Sequence, residues 1–243
     1  MDPERAAASR RLRVAVLAPM PSELRPLFAL LRLERWDGCE AAPFRGSAGR
    51  VEVVATLTGV GMNAAAACAA RIIDAASPDH VVVVGIAGGI GGSVAVGDVV
   101  VPERVLDLET GVTHQPCPLG ERPGRGTLAS SNALLESPEA AAELAERGVI
   151  AIDMETAAIA AVCDQRGCPW SVFRAISDRA DDGTTDAAVL GLIDSDGSPN
   201  MAAVAHFVLT RPHRIPQLVR LARGSSAATQ AAANAAAAAI ERL

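Results

Sequence analysis

The stretch VEVVATLTGVGMNAAAACAARIIDAASPDHVVVVGI, residues 51–86, contains two β-branched runs separated by a helix-forming segment. Residues 51–57 and 80–86 are rich in Val, and the second run has the continuous apolar character of a strand covered on both faces. Between the runs, glycines form a turn, Ala and Ile favour a helix, and Ser77-Pro78 ends that helix. The stretch therefore predicts a β-α-β unit of a parallel sheet.

The alternation of strand and helix patterns extends on both sides of this unit. Residues 13–18 predict an earlier strand, and the run AVGDVVVPERVLD predicts a later one in which Pro102 marks the strand end or a sheet edge. Three further strands are predicted, in the order GTLASS, VIAID and WSVFRAIS. The helices SPEAAAELAERG, capped by Ser137, and ETAAIAAVCDQRG, ended by Gly167, lie between them. The fold class is therefore α/β.

The size and charge of the chain restrict its partners. The 243 residues are within the range of one α/β domain, so we expect a single domain over residues 1–243 with a flexible N-terminus at 1–12. The net charge is −6 and the pI is near 5.3, which argues against nucleic acid or an anionic membrane as partner. We therefore expect a small-molecule ligand.

The cysteines and the apolar runs indicate a cytoplasmic protein. Five cysteines form no C-x-x-C pair, and an odd number cannot all pair within one chain, so we expect free thiols. The start, MDPERAAASRRLR, lacks the apolar run of a signal peptide. No stretch reaches the roughly 18 apolar residues that a membrane span requires.

Three segments outside the regular alternation also have a predicted form. Residues 109–126 are rich in Pro and Gly and predict a loop that is mobile over a site, and 184–199 predict a second loop. Residues 200–222 predict one or two helices with a break at Arg211-Pro212. The Ala-rich end, 224–243, predicts a solvent-exposed closing helix with a frayed terminus.

Polar residues collect where the predicted strands end. Glu23 follows the first strand, Asp153 and Glu155 follow VIAI, and Asp178 follows FRAI. Strand ends of an α/β sheet are where ligands bind, so Glu155 and Asp178 are expected to face one crevice although a helix separates them in sequence. Asp153 is expected to support its neighbours.

Each of these residues also has a purely structural interpretation. Asp178 suits a helix cap or a turn, and Glu23 and Glu155 suit the first turn of a helix, where a carboxylate complements the helix dipole. Arg174 suits an ion pair with a structural carboxylate. Residue type alone therefore leaves both interpretations open.

Five motifs, taken together and in order, favour function. They are VAVLAPMPSEL, TGVGMNAAA, VGIAGGIGGSVAVGDVVV, IDMETAAIA and FRAISDRADD, between about residues 13 and 182. In order and spacing they resemble the methylthioadenosine/S-adenosylhomocysteine nucleosidase and purine nucleoside phosphorylase family (nucleoside phosphorylase-I type). The resemblance implies a three-layer α/β/α sandwich with a central mixed, mostly parallel sheet. It also implies cleavage of the N-glycosidic bond of a purine nucleoside.

The resemblance also implies residue roles. Asp178 corresponds to the family acid that protonates N7 of the departing purine, because a purine leaves easily only when that nitrogen is protonated. Glu155 corresponds to the acceptor for the ribose hydroxyls. Glu23 lies where the hydrolases carry their water-activating Glu, and Arg174 corresponds to an Arg that positions the nucleophile.

Further substrate contacts follow from the same motifs. They are Met154, Ala87, Gly88, Leu134, Leu135 and Ser177. Leu134 and Leu135 lie in the segment that stacks on the purine in the family, so aliphatic contact replaces aromatic stacking. The resemblance implies no metal, no organic cofactor, and a homodimer in which a neighbouring subunit completes the site.

Departures from the family pattern keep other functions open. Ile86 replaces a Ser that helps to bind the nucleophile, and Val83 stands where many phosphorylases place a phosphate-binding Arg. Hydrolysis of a 5′-modified adenine nucleoside is therefore expected, with phosphorolysis as the alternative. The GIAGG and DMET variants and the segment RPHRIPQLVRLARGS resemble the branch that includes adenosylhopane phosphorylase. A non-enzyme alternative is a catalytically inactive nucleoside-binding protein.

Overall fold

The structure, a computed structural model, describes residues 11–133, 135, 137–179, 191–192 and 200–243. Most of the predicted flexible N-terminus, most of the predicted loop at 184–199, and Leu134 lie outside the described residues.

The described strands form one mixed sheet. They are β1 (Arg13–Ala18), β2 (Glu34–Arg35), β3 (Phe44–Ala48), β4 (Val51–Leu57), β5 (His80–Gly89), β6 (Val99–Val100), β7 (Arg104–Asp107), β8 (Thr113–His114), β9 (Thr127–Ser130), β10 (Val149–Asp153) and β11 (Trp170–Arg179). The described helices are α1 (Pro21–Leu30), α2 (Met62–Ala76), α3 (Pro138–Glu146), α4 (Thr156–Arg166), α5 (Met201–Thr210) and α6 (Ile215–Ile240), with a 3-10 turn at Pro212–Arg214.

The predicted β-α-β unit is present as β4-α2-β5. Strands β4, β1, β5 and β11 lie side by side and are parallel. The run predicted as one strand around Pro102 forms two, β6 and β7, with the proline between them. Proline cannot donate to a sheet ladder, which explains the interruption.

Side chains that alternate along the central strands bury two cores, one on each face of the sheet. Val81, Val83, Val172 and Ile176 pack on the face covered by α2 and α4. The opposite face, covered by α1 and α6, packs Val82, Val84 and Phe173 among other residues. The molecule is therefore a three-layer α/β/α sandwich, which confirms the predicted fold class.

The reversal of strand direction between β5 and β10 fixes the position of the site. Strand β10 is antiparallel to β5, with Ile152 opposite Gly88 and Ala151 opposite Gly89. The chain that leaves β10 therefore runs back along β5 toward Gly85. This brings the start of α4 level with Arg174, which is the partner of Gly85 on β11.

The prediction of a solvent-exposed Ala-rich helix is wrong. Helix α6 is continuous from Ile215 to Ile240, and Ala228, Ala232, Ala233 and Ala236 are fully or almost fully buried. A face of Ala packs closely on the sheet because its side chains are small. The sequence hides this burial because Ala on every face leaves no apolar periodicity to detect.

The prediction that the loop at 109–126 lies mobile over a site is wrong for its central part. The Cys117 N–H donates to the Trp170 carbonyl, and Ser171 Oγ donates to the Cys117 carbonyl at 2.6 Å. Leu119 is buried in the core beneath α6. Ser171, to which the loop is hydrogen-bonded, precedes Asp178 by seven residues on β11, a separation of about 23 Å. The central part of the loop is therefore held far from Asp178.

Candidate active site

Arg174 is a cation placed on an apolar face of the sheet. It lies on β11 between Val172 and Ile176, both core residues, and its side chain is 0% exposed. A buried guanidinium requires charged or hydrogen-bonding partners, because its desolvation is otherwise strongly unfavourable.

Those partners come from the start of α4. Arg174 Nη2 lies 2.8 Å from Asp153 Oδ2 and 3.3 Å from Glu155 Oε2. The same nitrogen donates to Thr156 Oγ1 at 3.1 Å. On the other side, Nη1 lies 3.7 Å from Glu23 Oε1 and makes no hydrogen bond within the described residues. The guanidinium therefore separates Glu23 from the other two carboxylates.

Glu23 is a carboxylate held by the backbone. Oε1 accepts the Ile86 N–H and Oε2 accepts the Met20 N–H, each at 2.8 Å, and the residue is 1% exposed. Burial raises the pKa of Glu23 to about 7, although Arg174 and the two N–H groups lower it. The group is thus poised to take up or release a proton near neutral pH.

Gly85 provides the space in which Glu23 and Arg174 meet. A Cβ atom there would lie 2.2 Å from Arg174 Nη1 and 2.4 Å from Glu23 Oε1. Sequence reasoning did not single out Gly85, although a glycine inside an apolar strand is a signal of close approach.

Asp153 organises the start of α4. Its Oδ1 accepts Ser130 Oγ–H at 2.6 Å and the backbone N–H groups of Glu155 and Thr156 at 3.3 and 3.2 Å. Its Oδ2 accepts Thr156 Oγ–H and binds Arg174. The structure therefore agrees with the expected supporting role of Asp153. Ser130 and Thr156 were not anticipated, since nothing in their local sequence distinguishes them from ordinary core-edge hydroxyls.

Glu155 joins this group to the turn before α2. The Gly61 N–H donates to Glu155 Oε1 at 3.0 Å. Burial raises the pKa of Glu155, and Asp153 acts in the same direction, whereas Arg174 opposes the shift. We refer to Glu23, Asp153, Glu155 and Arg174 as the buried charge cluster.

Asp178 lies farther along β11, four residues and about 13 Å beyond Arg174. It is half-buried, and Ser177 Oγ donates to its Oδ1 at 2.5 Å. Gly88 is its partner on β5, and Ile152 of β10 pairs with that same glycine. We refer to Gly88, Ser177 and Asp178 as the Asp178 end. The predicted crevice thus has two parts, at different levels of the sheet.

The other predicted contacts have mixed environments. Ala87 is buried at the end of β5, and Met154 is half-buried between Asp153 and Glu155. Leu135 packs against the small core that includes Leu144 of α3, which is a structural role. Leu134 lies outside the described residues.

The two departures from the family pattern also have clear positions. Val83 is fully buried in the core beneath α2 and α4. Ile86 packs its side chain toward the opposite core and presents its backbone N–H to Glu23. No group of three or more His, Cys, Asp or Glu suited to a metal ion occurs in the described part of the chain.

Comparison with known proteins places this arrangement in a family. The family model described as phosphorylase superfamily matches residues 13–125 and 118–210, and the chain belongs to that superfamily. A 5′-methylthioadenosine/S-adenosylhomocysteine nucleosidase from Geobacillus kaustophilus is 33% identical over 205 residues, which cover 70% of this chain and 85% of that protein. The corresponding nucleosidase from Bacillus velezensis is 28% identical over 200 residues, covering 70% and 87%.

Solved structures share the fold. Futalosine hydrolase of Helicobacter pylori superposes with a TM-score of 0.72 at 17% identity, covering 96% of this chain and 99% of that chain. The methylthioadenosine/S-adenosylhomocysteine nucleosidase of Neisseria meningitidis, in complex with methylthio-immucillin-A, superposes with a TM-score of 0.69 at 23% identity, covering 95% and 99%. The described helices include none long and apolar enough to cross a membrane.

Proposed function

We propose that the protein hydrolyses the N-glycosidic bond of a 5′-substituted adenine nucleoside, such as 5′-methylthioadenosine or S-adenosylhomocysteine. The observation that carries this proposal is Glu23, a fully buried carboxylate with a pKa near 7, set against Arg174. A general base that works at neutral pH requires such a pKa. The nucleosidases that this chain resembles over 70% of its length support the substrate class.

The reaction assigns one task to each part of the site. Asp178 donates a proton to N7 of the purine as the C1′–N9 bond breaks and its electron pair moves to the base. Glu155 accepts hydrogen bonds from the ribose hydroxyls, and its negative charge favours the cation-like sugar. Glu23 takes a proton from water as the water oxygen bonds to C1′. The products are the free base and a 5′-substituted ribose.

The charges favour water over phosphate as the nucleophile. Three carboxylates surround one guanidinium, and its Nη2 already binds Asp153 and Glu155. A phosphate dianion next to Glu23 would face these anions with no second cation from the residues that the structure describes, because Val83 is an apolar core residue at the position of the phosphorylase Arg. Water adds no charge and needs only the base.

The test is the release of adenine, followed by chromatography, from both nucleosides with and without inorganic phosphate. We expect adenine and free 5′-substituted ribose at equal rates in both conditions, with label from H₂¹⁸O on C1′ of the sugar. Formation of a ribose 1-phosphate only with phosphate would assign the chain to phosphorolysis. Thermal stabilisation by nucleosides without any release of base would assign it to the inactive binding proteins.

We also propose that the protein is a homodimer and that it is located in the cytoplasm. Phe28 and Leu30 of α1 are 36% and 40% exposed, which leaves apolar surface for a partner subunit. All five cysteines are free thiols, as expected in a reducing compartment. Light scattering at micromolar concentration should give twice the 24.9 kDa chain mass, and a monomer would contradict the dimer.

A further inference from the structure

One segment of this acidic protein carries a net positive charge. Residues 200–240 contain four arginines, Arg211, Arg214, Arg220 and Arg223, and no Asp or Glu, although the whole chain has a net charge of −6. The preceding residues 180–199 contain five aspartates, so the charge changes sign near the start of α5. Such an asymmetry indicates an anionic partner for the basic segment.

The fold leaves most of this charge at the protein surface. Arg211, Arg220 and Arg223 are exposed, at the turn after α5 and on the first turns of α6. Arg214 is half-buried, and its guanidinium lies 5.2 Å from the centre of the Phe207 ring. These four cations therefore lie within about twelve residues of chain at the junction of the two helices.

Apolar side chains are exposed among these arginines. Leu209 is 81% exposed, Val219 43% and Ile215 37%, and Val96 from the loop before β6 is 51% exposed. The inward-facing apolar side chains of α6 already have packing partners, because Leu218 and Leu221 pack with Phe207 of α5. The outward apolar residues are therefore not required by the core.

A groove joins the apolar and basic side chains. It is open, has a volume of about 770 Å³, and is lined by Val96, Ile215, Pro216, Val219, Arg220 and Arg223. A Cβ atom at Gly224 would lie 2.4 Å from the Ser177 carbonyl oxygen, so α6 contacts β11 closely at this point. The groove thus lies beside the Asp178 end of the site.

We propose that this face, which comprises Val96, Leu209, Arg211, Ile215, Val219, Arg220 and Arg223, binds the surface of an anionic lipid membrane. Arginines bind lipid phosphates, while apolar side chains between them enter the boundary of headgroups and acyl chains. A nucleic acid would satisfy the arginines and leave the apolar side chains in water. A membrane offers contacts to both the arginines and the apolar side chains, which a purely polar partner cannot do.

The charges of the protein determine how strongly it is expected to bind the membrane. Each basic residue near an anionic surface contributes about fivefold in partition coefficient, and the apolar side chains add to this. The negative remainder of the chain is repelled, so binding should be reversible and should weaken with salt. We therefore expect a peripheral association in which the Asp178 end faces the lipid.

The experiment is cosedimentation of the full chain with two kinds of vesicle. One contains phosphatidylcholine alone and the other phosphatidylcholine with about 30 mol% phosphatidylserine. We expect binding to the anionic vesicles, loss in high salt, and little binding to the neutral ones. The double variant Arg220→Gln/Arg223→Gln should bind about 30-fold more weakly. Leu209→Ser/Val219→Ser should bind about tenfold more weakly.

Matched controls separate this surface from general electrostatics and from misfolding. Arg50→Gln/Arg122→Gln removes two exposed arginines elsewhere and should bind like the wild type. All variants are to be compared by thermal melting, and these surface changes should leave Tm nearly unchanged. The proposal would be overturned if Arg220→Gln/Arg223→Gln hardly weakened binding to the anionic vesicles, or if the control double variant weakened it equally.

The other possible occupants give different results. Self-association that is lost in Leu209→Ser/Val219→Ser, with no binding to vesicles, would make the face a contact between copies of this chain. Salt-sensitive binding of a fluorescent oligonucleotide without binding to vesicles would make it a nucleic-acid surface. Either result would overturn the membrane proposal.

Discussion

The buried charge cluster and the Asp178 end each include residues of β11, Arg174 and Asp178, but the two regions differ in how they are held. Arg174 is 0% exposed, and the protein itself supplies its partners from α4 and Glu23. Asp178 is half-buried near the end of β11, where a bulge interrupts the pairing with β5. The first region is fixed by folding, whereas Asp178 in the second keeps part of its surface exposed.

The difference indicates how binding and chemistry are divided. A cluster of buried charges costs stability unless its geometry is satisfied, and it is then rigid before substrate arrives. An acid that must donate a proton to the purine of a bound nucleoside is better placed where a ligand can reach it. Substitutions in the two regions should therefore separate: those at the Asp178 end should change turnover, and those in the cluster should change stability as well.

The largest effect is expected for Asp178→Asn. The variant keeps the shape and a hydrogen-bonding group but loses the transferable proton, so kcat should fall by roughly two to four orders of magnitude. Nucleoside affinity and Tm should change little. Asp74→Asn, at an exposed ion pair with Arg166, is the control and should retain full turnover. Wild-type kcat in Asp178→Asn would show that the acid has been assigned incorrectly.

Arg174→Gln should have the largest effect on stability. The variant leaves Asp153 and Glu155 buried without their cation, which should lower the free energy of unfolding by about 3–5 kcal/mol. Arg166→Gln removes one partner of an exposed pair with Asp74 and should cost at most about 1 kcal/mol. Urea denaturation measures both. Similar losses for the two variants would contradict the contrast between the cluster and the surface.

Glu23 should make stability and activity respond to pH in opposite directions. Its folded pKa, about 7, lies above the ordinary 4.5, so the folded state binds the proton more tightly and gains stability as pH falls from 8 toward 4.5. Between about pH 8 and pH 5.5 the gain from this group is about 2 kcal/mol. Over the same range kcat/KM should fall, because the base becomes protonated.

Glu23→Gln isolates this effect. The variant cannot titrate, so its free energy of unfolding should lose this part of the pH dependence while catalysis is lost at every pH. Denaturant titrations at several pH values, compared with the wild type, measure the difference. An unchanged stability profile in Glu23→Gln would show that another group is responsible.

The smallest effect is expected for substitutions of Thr156, which forms hydrogen bonds with members of the buried charge cluster. Thr156 Oγ donates to Asp153 and accepts from Arg174, so Thr156→Val should cost about 1–2 kcal/mol of stability through unsatisfied buried groups. Thr156→Ser keeps the hydroxyl and should recover most of that loss. If Thr156→Val keeps wild-type stability while Thr156→Ser loses stability, the methyl group and not the hydroxyl matters.

Sequence patterns predicted the order of strands and helices better than the burial of a helix or the direction of a strand. The Val-rich runs and the glycine turns gave the β-α-β unit, because each element there has its own periodicity and its own stop signal. The burial of α6 was missed since Ala carries no such periodicity. The reversal of β10 was also missed, because strand direction depends on pairing across the sheet and leaves no trace in five residues.

The same distinction applies to the site. Glu23, Glu155 and Arg174 were named from motifs, and the structure brings them together: Glu23 and Arg174 meet at Gly85, and Glu155 binds the other side of the guanidinium. Ser130 and Thr156 could not be found, because their importance comes from a carboxylate 23 and 3 residues away that they contact only after folding. The basic face was missed because net charge averages over the chain. The negative net charge of the whole chain concealed a segment, residues 200–240, that contains no acidic residue.

The buried charge cluster also has a consequence for the order of folding. Glu23 and Arg174 are separated by about 150 residues, so the cluster closes one of the longest loops in the chain. During synthesis, Glu23 would emerge long before its cation. Nascent chains that lack β11 should therefore hold Glu23 in water or protonated, and the nucleoside site should become protected from hydrogen exchange only in the final step of assembly.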